Sequence, residues 1–349
     1  MLSTPASVPG VRVIHGERFD VPDGYLNSAS IGIPPASAAD AVADAVAAWR
    51  TGSAQPSQFD DPVARARAGF AELVGVPVDR VTQGATASSL VGLVAAGVPD
   101  RTRVLVAEGE FTSVSWPFAA QRGRGVTVEE APLERVGELA ANYDVVAVSV
   151  VQSADGRVVD LAALRAARDA GCRVVLDATQ SLGWFDADLS WADAVLAAGY
   201  KWLLSPRGAA WMAVGPELDP VPHSAGWWAG EDPWDSVYGL PLRLADDARG
   251  LDVSPVWLAH VGAAVAVPWL AGLDRAAVHA HCTGLADAVR DGLGMGPGGS
   301  AIVAVRRPDA VRRLADAGLV TSARAGAARL AFALYNTADD VERVLRALT

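Results

Sequence analysis

Two textures of apolar and polar positions alternate along the chain. Over residues 36–75 the spacing is helical. "ASAADAVADAVAAWR" and "PVARARAGFAELVG" set apolar residues three and four apart among good helix formers, and Gly75 ends the second. Short β-rich runs then take over: "RVLVAE" (103–108), "VTVEEA" (126–131), "DVVAVSVV" (144–151), "RVVLDA" (173–178), "ADAVLAA" (192–198) and "GAAWMAV" (208–214). They alternate with helical stretches such as "LAALRAARDAG". This order predicts an α/β fold, a mostly parallel sheet with helices on both faces. After "RGLDVSPVW" come two long helical segments, about 257–271 and 274–292, then a Gly-rich loop, strands "SAIVAV" and "ARLAFALY", and a closing helix "ADDVERVLRAL". That pattern predicts a smaller α+β domain. The expected division is an extended segment over 1–20, a large domain over 21–256 and a small one over 257–349.

Composition narrows the function. Of 349 residues 51% are hydrophobic and 20% charged, which is globular. The net charge of −11 comes without a basic run, so the footprint of nucleic-acid binding is missing. Two cysteines, Cys172 and Cys282, are too few for a disulfide framework. The first residues do not read as a signal peptide, and no apolar run reaches membrane-spanning length, so a cytoplasmic enzyme with no membrane partner is expected.

Several motifs carry no chemistry. "GMGPGG" (294–299) fits G-x-G-x-x-G but follows a helix and enters a strand, the wrong context for a dinucleotide site. "HAHC" (279–282) sets its histidines two apart, on different helix faces, so no metal site is expected.

Three other segments converge. "TQGATASSL" (82–90) puts small residues at a helix start, where free N–H groups and the Thr86 and Ser88 hydroxyls suit a phosphate, though an ordinary helix cap reads the same way. "VVLDATQSLG" (174–183) puts Asp177 at the carboxyl end of an apolar strand, where open α/β sheets bind ligands; a helix cap is the plainer alternative. "AAGYKWLLSPRG" (197–208) brings Lys201, flanked by apolar residues, to the same edge. A phosphate cradle, a carboxylate and a desolvated lysine together fit pyridoxal phosphate.

The segments also resemble the class V aminotransferases, fold-type I pyridoxal-phosphate enzymes that include cysteine desulfurases, isopenicillin N epimerase-like proteins and kynureninases. The resemblance runs from about Tyr25 to the C-terminus, through "YLNSASIGIPP", "GATASS", "DATQSLG", "YKWLLSPRG", "RGLDVSP" and "RLAFALYNTADDVERVL". It implies Lys201 as the Schiff-base lysine, Asp177 as partner of the pyridine nitrogen and Gln180 against the ring's phenolic oxygen. Phe111 matches the ring-stacking aromatic, with a core role open. Ala85, Thr86 and Tyr200 are implied at the phosphate, with Ser254 reaching it from the second subunit of a homodimer. Arg329 is implied at the carboxylate of an amino-acid substrate, with a structural salt bridge as the alternative, and Asn27 and Ser153 lie near the substrate.

The departures bear on the reaction. Ala198 stands where desulfurases often have a phosphate-binding serine. Desulfurases also need a cysteine on a mobile loop, whereas Cys172 precedes a strand and Cys282 lies in a helix. The expectation is a pyridoxal-phosphate enzyme acting as a C–S lyase by β-elimination, with amino transfer or epimerisation, or a non-catalytic binding protein, as alternatives. Trp227, Trp228 and Trp234 fit a substrate pocket and hinge packing equally.

Overall fold

"VVAVS" and "AVLAA" are apolar without interruption because both faces of their strands are covered; every residue of the two is buried. The computed structural model describes residues 10–349. In chain order the elements begin with β1 (Gly10–Ile14), β2 (Glu17–Val21), α1 (Ala36–Thr51), α2 (Asp60–Val74), β3 (Val81–Gly84), α3 (Ala87–Gly97) and β4 (Arg103–Ala107). Next come α4 (Thr112–Ala119), β5 (Thr127–Ala131), α5 (Leu133–Leu139), β6 (Val145–Ser149), α6 (Leu161–Asp169), β7 (Arg173–Asp177), β8 (Ala194–Ala198) and β9 (Ala210–Val214). The chain closes with α7 (Trp257–Ala271), α8 (Arg275–Gly292), β10 (Ile302–Val305), α9 (Ala310–Asp316), β11 (Ser322–Arg324), β12 (Ala327–Ala331) and α10 (Ala338–Leu348).

Seven strands form the main sheet in the order β3-β9-β8-β7-β6-β4-β5. β5, β4, β6, β7 and β8 are mutually parallel, and β9 runs antiparallel to both β8 and β3. The chain leaves β4 for β5 on one side and returns to β6 on the other, so a crevice opens beyond their carboxyl ends. A second, antiparallel sheet, β10-β12-β11, packs with α8, α9 and α10 around Leu314, Leu330, Phe332 and Val344.

Three elements differ from the sequence expectation. Residues 1–9 of the expected extended segment lie outside the described residues, and 10–21 form a β1–β2 hairpin. His15 and Gly16 make its turn, with φ of 46° and 85°, the left-handed pair that a two-residue hairpin requires. β3 is the edge strand hidden in "VTQG", too short to show a period. β12 ends at Ala331, not Tyr335, because Asn336 folds back and its Oδ1 accepts a hydrogen bond from Ala333 N at 2.8 Å. Packing also crosses the expected division at 256/257: α7 lies on α1 and α2, while Leu26 N donates to Val320 O and Ala331 N to Leu26 O across the small sheet.

Candidate active site

The crevice holds a cavity of 190 Å³ lined by Thr86, Phe111, Ser153, Asp177, Gln180, Tyr200, Lys201 and their neighbours. Each side chain arrives from the carboxyl end of a strand or the start of a helix. β3 runs into Thr86, which caps α3 by accepting a hydrogen bond from Ser89 N. The first N–H groups of α3, at Ala87 and Ser88, have no helical acceptor and border the cavity. β4 delivers Phe111, β6 Ser149 and Ser153, β7 Asp177, and β8 Tyr200 and Lys201. A larger hollow of 620 Å³, lined by Asp100, Arg101, Asp144 and Arg173, opens at the opposite strand ends and shares no lining residue with this cavity.

Lys201 is 6% exposed and its Nζ makes no hydrogen bond to the described residues. Burial pulls its pKa from 10.5 down to about 8; Asp177 opposes the shift, and Arg329, Arg324 and Arg207 add to it. Nζ sits 5.4 Å from the centre of the Phe111 ring and 5.6 Å from that of Tyr200. The turn carrying Lys201 is clamped by Gly32, whose N–H donates to Tyr200 O at 3.0 Å. A Cβ on residue 32 would fall 1.9 Å from the Lys201 carbonyl oxygen, so glycine is required there.

Asp177 is 4% exposed, and its Oδ1 accepts a hydrogen bond from Thr179 N at 2.8 Å. Burial raises its pKa, the Thr179 hydrogen bonds and Lys201 lower it, and no ion pair with Lys201 forms. A carboxylate so placed stays ionised when a cation is brought to it. Phe111 is 46% exposed and borders the cavity, so it is not a core residue. Gln180 is engaged at both ends: Nε2 donates to Ala29 O and Ser153 Oγ, and Oε1 accepts from Trp202 Nε1.

Arg329, Asn27 and Ser254 lie outside the cavity lining. Arg329 is 1% exposed and has no carboxylate partner among the described residues. It donates to Ser153 O and Oγ, Ser30 Oγ and Ser322 Oγ, so Ser153 joins it to the cavity. The salt-bridge alternative for Arg329 therefore does not hold. Asn27 Oδ1 is buried without a partner. Ser254 is exposed, two residues beyond Asp252, which Arg67, Thr82 and Gln83 N hold against β3. The three tryptophans line no part of the cavity; Trp227 packs on Trp228 at 5.2 Å and on Trp234 at 5.0 Å, over α2.

Two residues escaped the sequence reading. Glu110, at the end of β4, is buried and accepts from Phe111 N, Ser149 N, Ser149 Oγ and Gln152 Nε2, tying the ends of β4 and β6 together beneath Phe111. Its signal was an acid at the end of an apolar strand, the same one that marked Asp177. Arg207 lines the cavity from the loop after Lys201. The donor set fits pyridoxal phosphate: an unpartnered buried amine for the aldehyde, a carboxylate for the pyridine nitrogen, an aromatic face and a helix amino end for the phosphate.

Comparison with known proteins agrees with this geometry. The sequence profile of the family "Aminotransferase class-V" matches residues 39–311. Isopenicillin N epimerase of Streptomyces clavuligerus is 26% identical over 264 residues, 67% of this chain and 65% of that protein. The match thus spans just under two thirds of the curated relative. Among solved structures, a cystine C–S lyase, C-DES, in complex with cysteine persulfide superimposes with a TM-score of 0.82 at 18% identity, over 93% of this chain and 97% of that one. The cysteine desulfurase CsdA of Escherichia coli gives 0.76 at 20% identity, over 93% and 94%. The sheet, the crevice and the matched profile lead to one conclusion: the chain belongs to the class-V aminotransferase family, enzymes of fold type I whose cofactor is pyridoxal phosphate.

Proposed function

We propose that this enzyme cleaves the Cβ–S bond of a sulfur-substituted amino acid by elimination, releasing a thiol, with uptake of one water and a 2-ketoacid and ammonia as the other products. The observation that carries the reading is a cavity with one buried amine, Lys201, and no cysteine among its described lining residues. Arg329 binds the substrate carboxylate through the side facing Ser153 and Ser30, and Asn27 Oδ1, buried without a partner, is left to accept from a donor group of the substrate. Lys201 would hold the cofactor covalently at rest and, once the substrate's amino group has displaced it, would take the proton from Cα; its lowered pKa raises the share of free amine available to do so. Pyridoxal phosphate, when bound, supplies the sink for the electron pair left at Cα, and Asp177 keeps the pyridine nitrogen protonated. Phe111 shields the ring face, and Thr86 and Tyr200 hold the phosphate.

Sulfur leaves as free thiol because neither cysteine can receive it. Cys172 and Cys282 are both buried away from the cavity, and burial pushes the Cys172 thiol up to about 11 and Cys282 higher. Ser254, exposed on a pinned segment, completes the phosphate site of a second copy in a homodimer. The test incubates the enzyme with a panel of S-substituted cysteines and measures thiol and ketoacid. Thiol release supports the lyase. Amination of the cofactor without thiol makes it an aminotransferase, exchange of the α-hydrogen with solvent and no net product an epimerase, and none of these a binding protein. Sedimentation of a fully active monomer would remove the role of Ser254.

A further inference from the structure

Four positions border the phosphate end of the cavity: the amino end of α3 (Ala85 to Ser88), Ala198, Tyr200 and Arg207. The first offers N–H groups and hydroxyls but only the partial charge of a helix end. Ala198 offers a methyl group alone. Arg207 is the one full cation at this end outside Lys201, and its surroundings leave it uncommitted. It makes no ion pair and no hydrogen bond to any described residue, and its Cζ lies 4.9 Å from the centre of the Tyr200 ring. A solvated surface arginine would sweep freely through water. Arg207 is exposed too, but its guanidinium rests over the ring that also faces Lys201, and this keeps it beside the cavity it lines.

We propose that Arg207 is a phosphate-binding residue: with the start of α3 and Tyr200 it holds the cofactor's phosphate, supplying the charge and the donors that Ala198 lacks. The inference rests on the cofactor of the family and not on which reaction follows. A guanidinium suits the task because it presents two parallel donors to two phosphate oxygens, and Tyr200 pre-orders it. Nearby carboxylates do not compete for it: Asp177, in the cavity lining, is tied to Thr179, and Glu110, outside the lining, is engaged by four donors.

The experiment titrates the full-length chain, freed of cofactor, with pyridoxal phosphate and separately with pyridoxal, which differs only in lacking the phosphate. Quenching of the 11 tryptophans reports binding without any turnover. Arg207→Gln is expected to weaken pyridoxal phosphate roughly 10- to 100-fold, the range of a charge-assisted hydrogen bond, and to leave pyridoxal within about twofold. Arg207→Lys, which keeps the charge and loses the fork, falls between, and carries the test if the glutamine variant does not fold. Equal losses for the two ligands, or unchanged affinity for pyridoxal phosphate, would overturn the proposal. Wild-type chain that binds neither ligand would instead overturn the cofactor assignment.

Discussion

Arg329→Gln separates a substrate-binding arginine from a structural one, because the two roles predict opposite changes in stability. The guanidinium is 1% exposed and hydrogen-bonded to hydroxyls and a carbonyl, and to no carboxylate among the described residues. Burial, with Arg324 alongside, lowers its pKa from 12.5 to about 10. At about 1.4 kcal/mol per pH unit, the fold carries a cost of roughly 3 kcal/mol at neutral pH to keep this cation dry. An arriving carboxylate offsets that cost, and glutamine, which keeps a donor but no charge, forgoes the gain. The expected result is a fall in kcat/KM of about 100-fold for an amino acid, with little change for the corresponding amine that lacks the carboxylate. Stability to urea is expected to hold or rise, since the charge was a net burden. Were its hydrogen bonds to Ser30, Ser153 and Ser322 its purpose, the change would instead cost about 1–3 kcal/mol for each buried acceptor left unpaired. An unfolding free energy in urea that drops by such an amount while kcat/KM survives would make Arg329 a structural residue.

Three further outcomes follow from buried charges elsewhere. Asp177→Asn keeps the cofactor, since the helix end and Lys201 remain, but loses turnover by at least about 100-fold; near wild-type rates would make the aspartate structural. Arg67→Met leaves Asp252, 0% exposed, without its cation and lowers stability by about 3–5 kcal/mol, whereas the double change Arg67→Met with Asp252→Leu recovers most of it; urea unfolding of the three chains decides. His260 is buried with Nε2 unpartnered and its pKa pushed from 6.5 down to about 4, so between those values the unfolded chain binds a proton that the fold refuses. Stability attributable to it is full above pH 6.5 and is lost as pH falls toward 4, by roughly 3 kcal/mol, so unfolding curves of His260→Gln should lose that part of the acid slope.

Much of this protein was legible one segment at a time. The apolar runs of β6, β7 and β8 announce a covered parallel sheet because strands buried on both faces need apolar residues throughout. Asp177 and Lys201 stood out because a charge ending such a run must find a use or a partner. What a segment does not hold is the identity of its neighbours. Arg329 lies on β12, yet its surroundings come from Ser30, Ser153 and Ser322, and only the folded chain shows that none of them is an acid. Glu110 carries the same local signal as Asp177, and Arg207 none; only the folded chain shows Ser149 donating to the one and the ring of Tyr200 under the other. Periodicity records which side of an element meets water, and so it fixes elements and their buried faces. Partnership between side chains far apart in sequence is decided by the crossing of strands in space, and the chemistry of the site depends on that partnership.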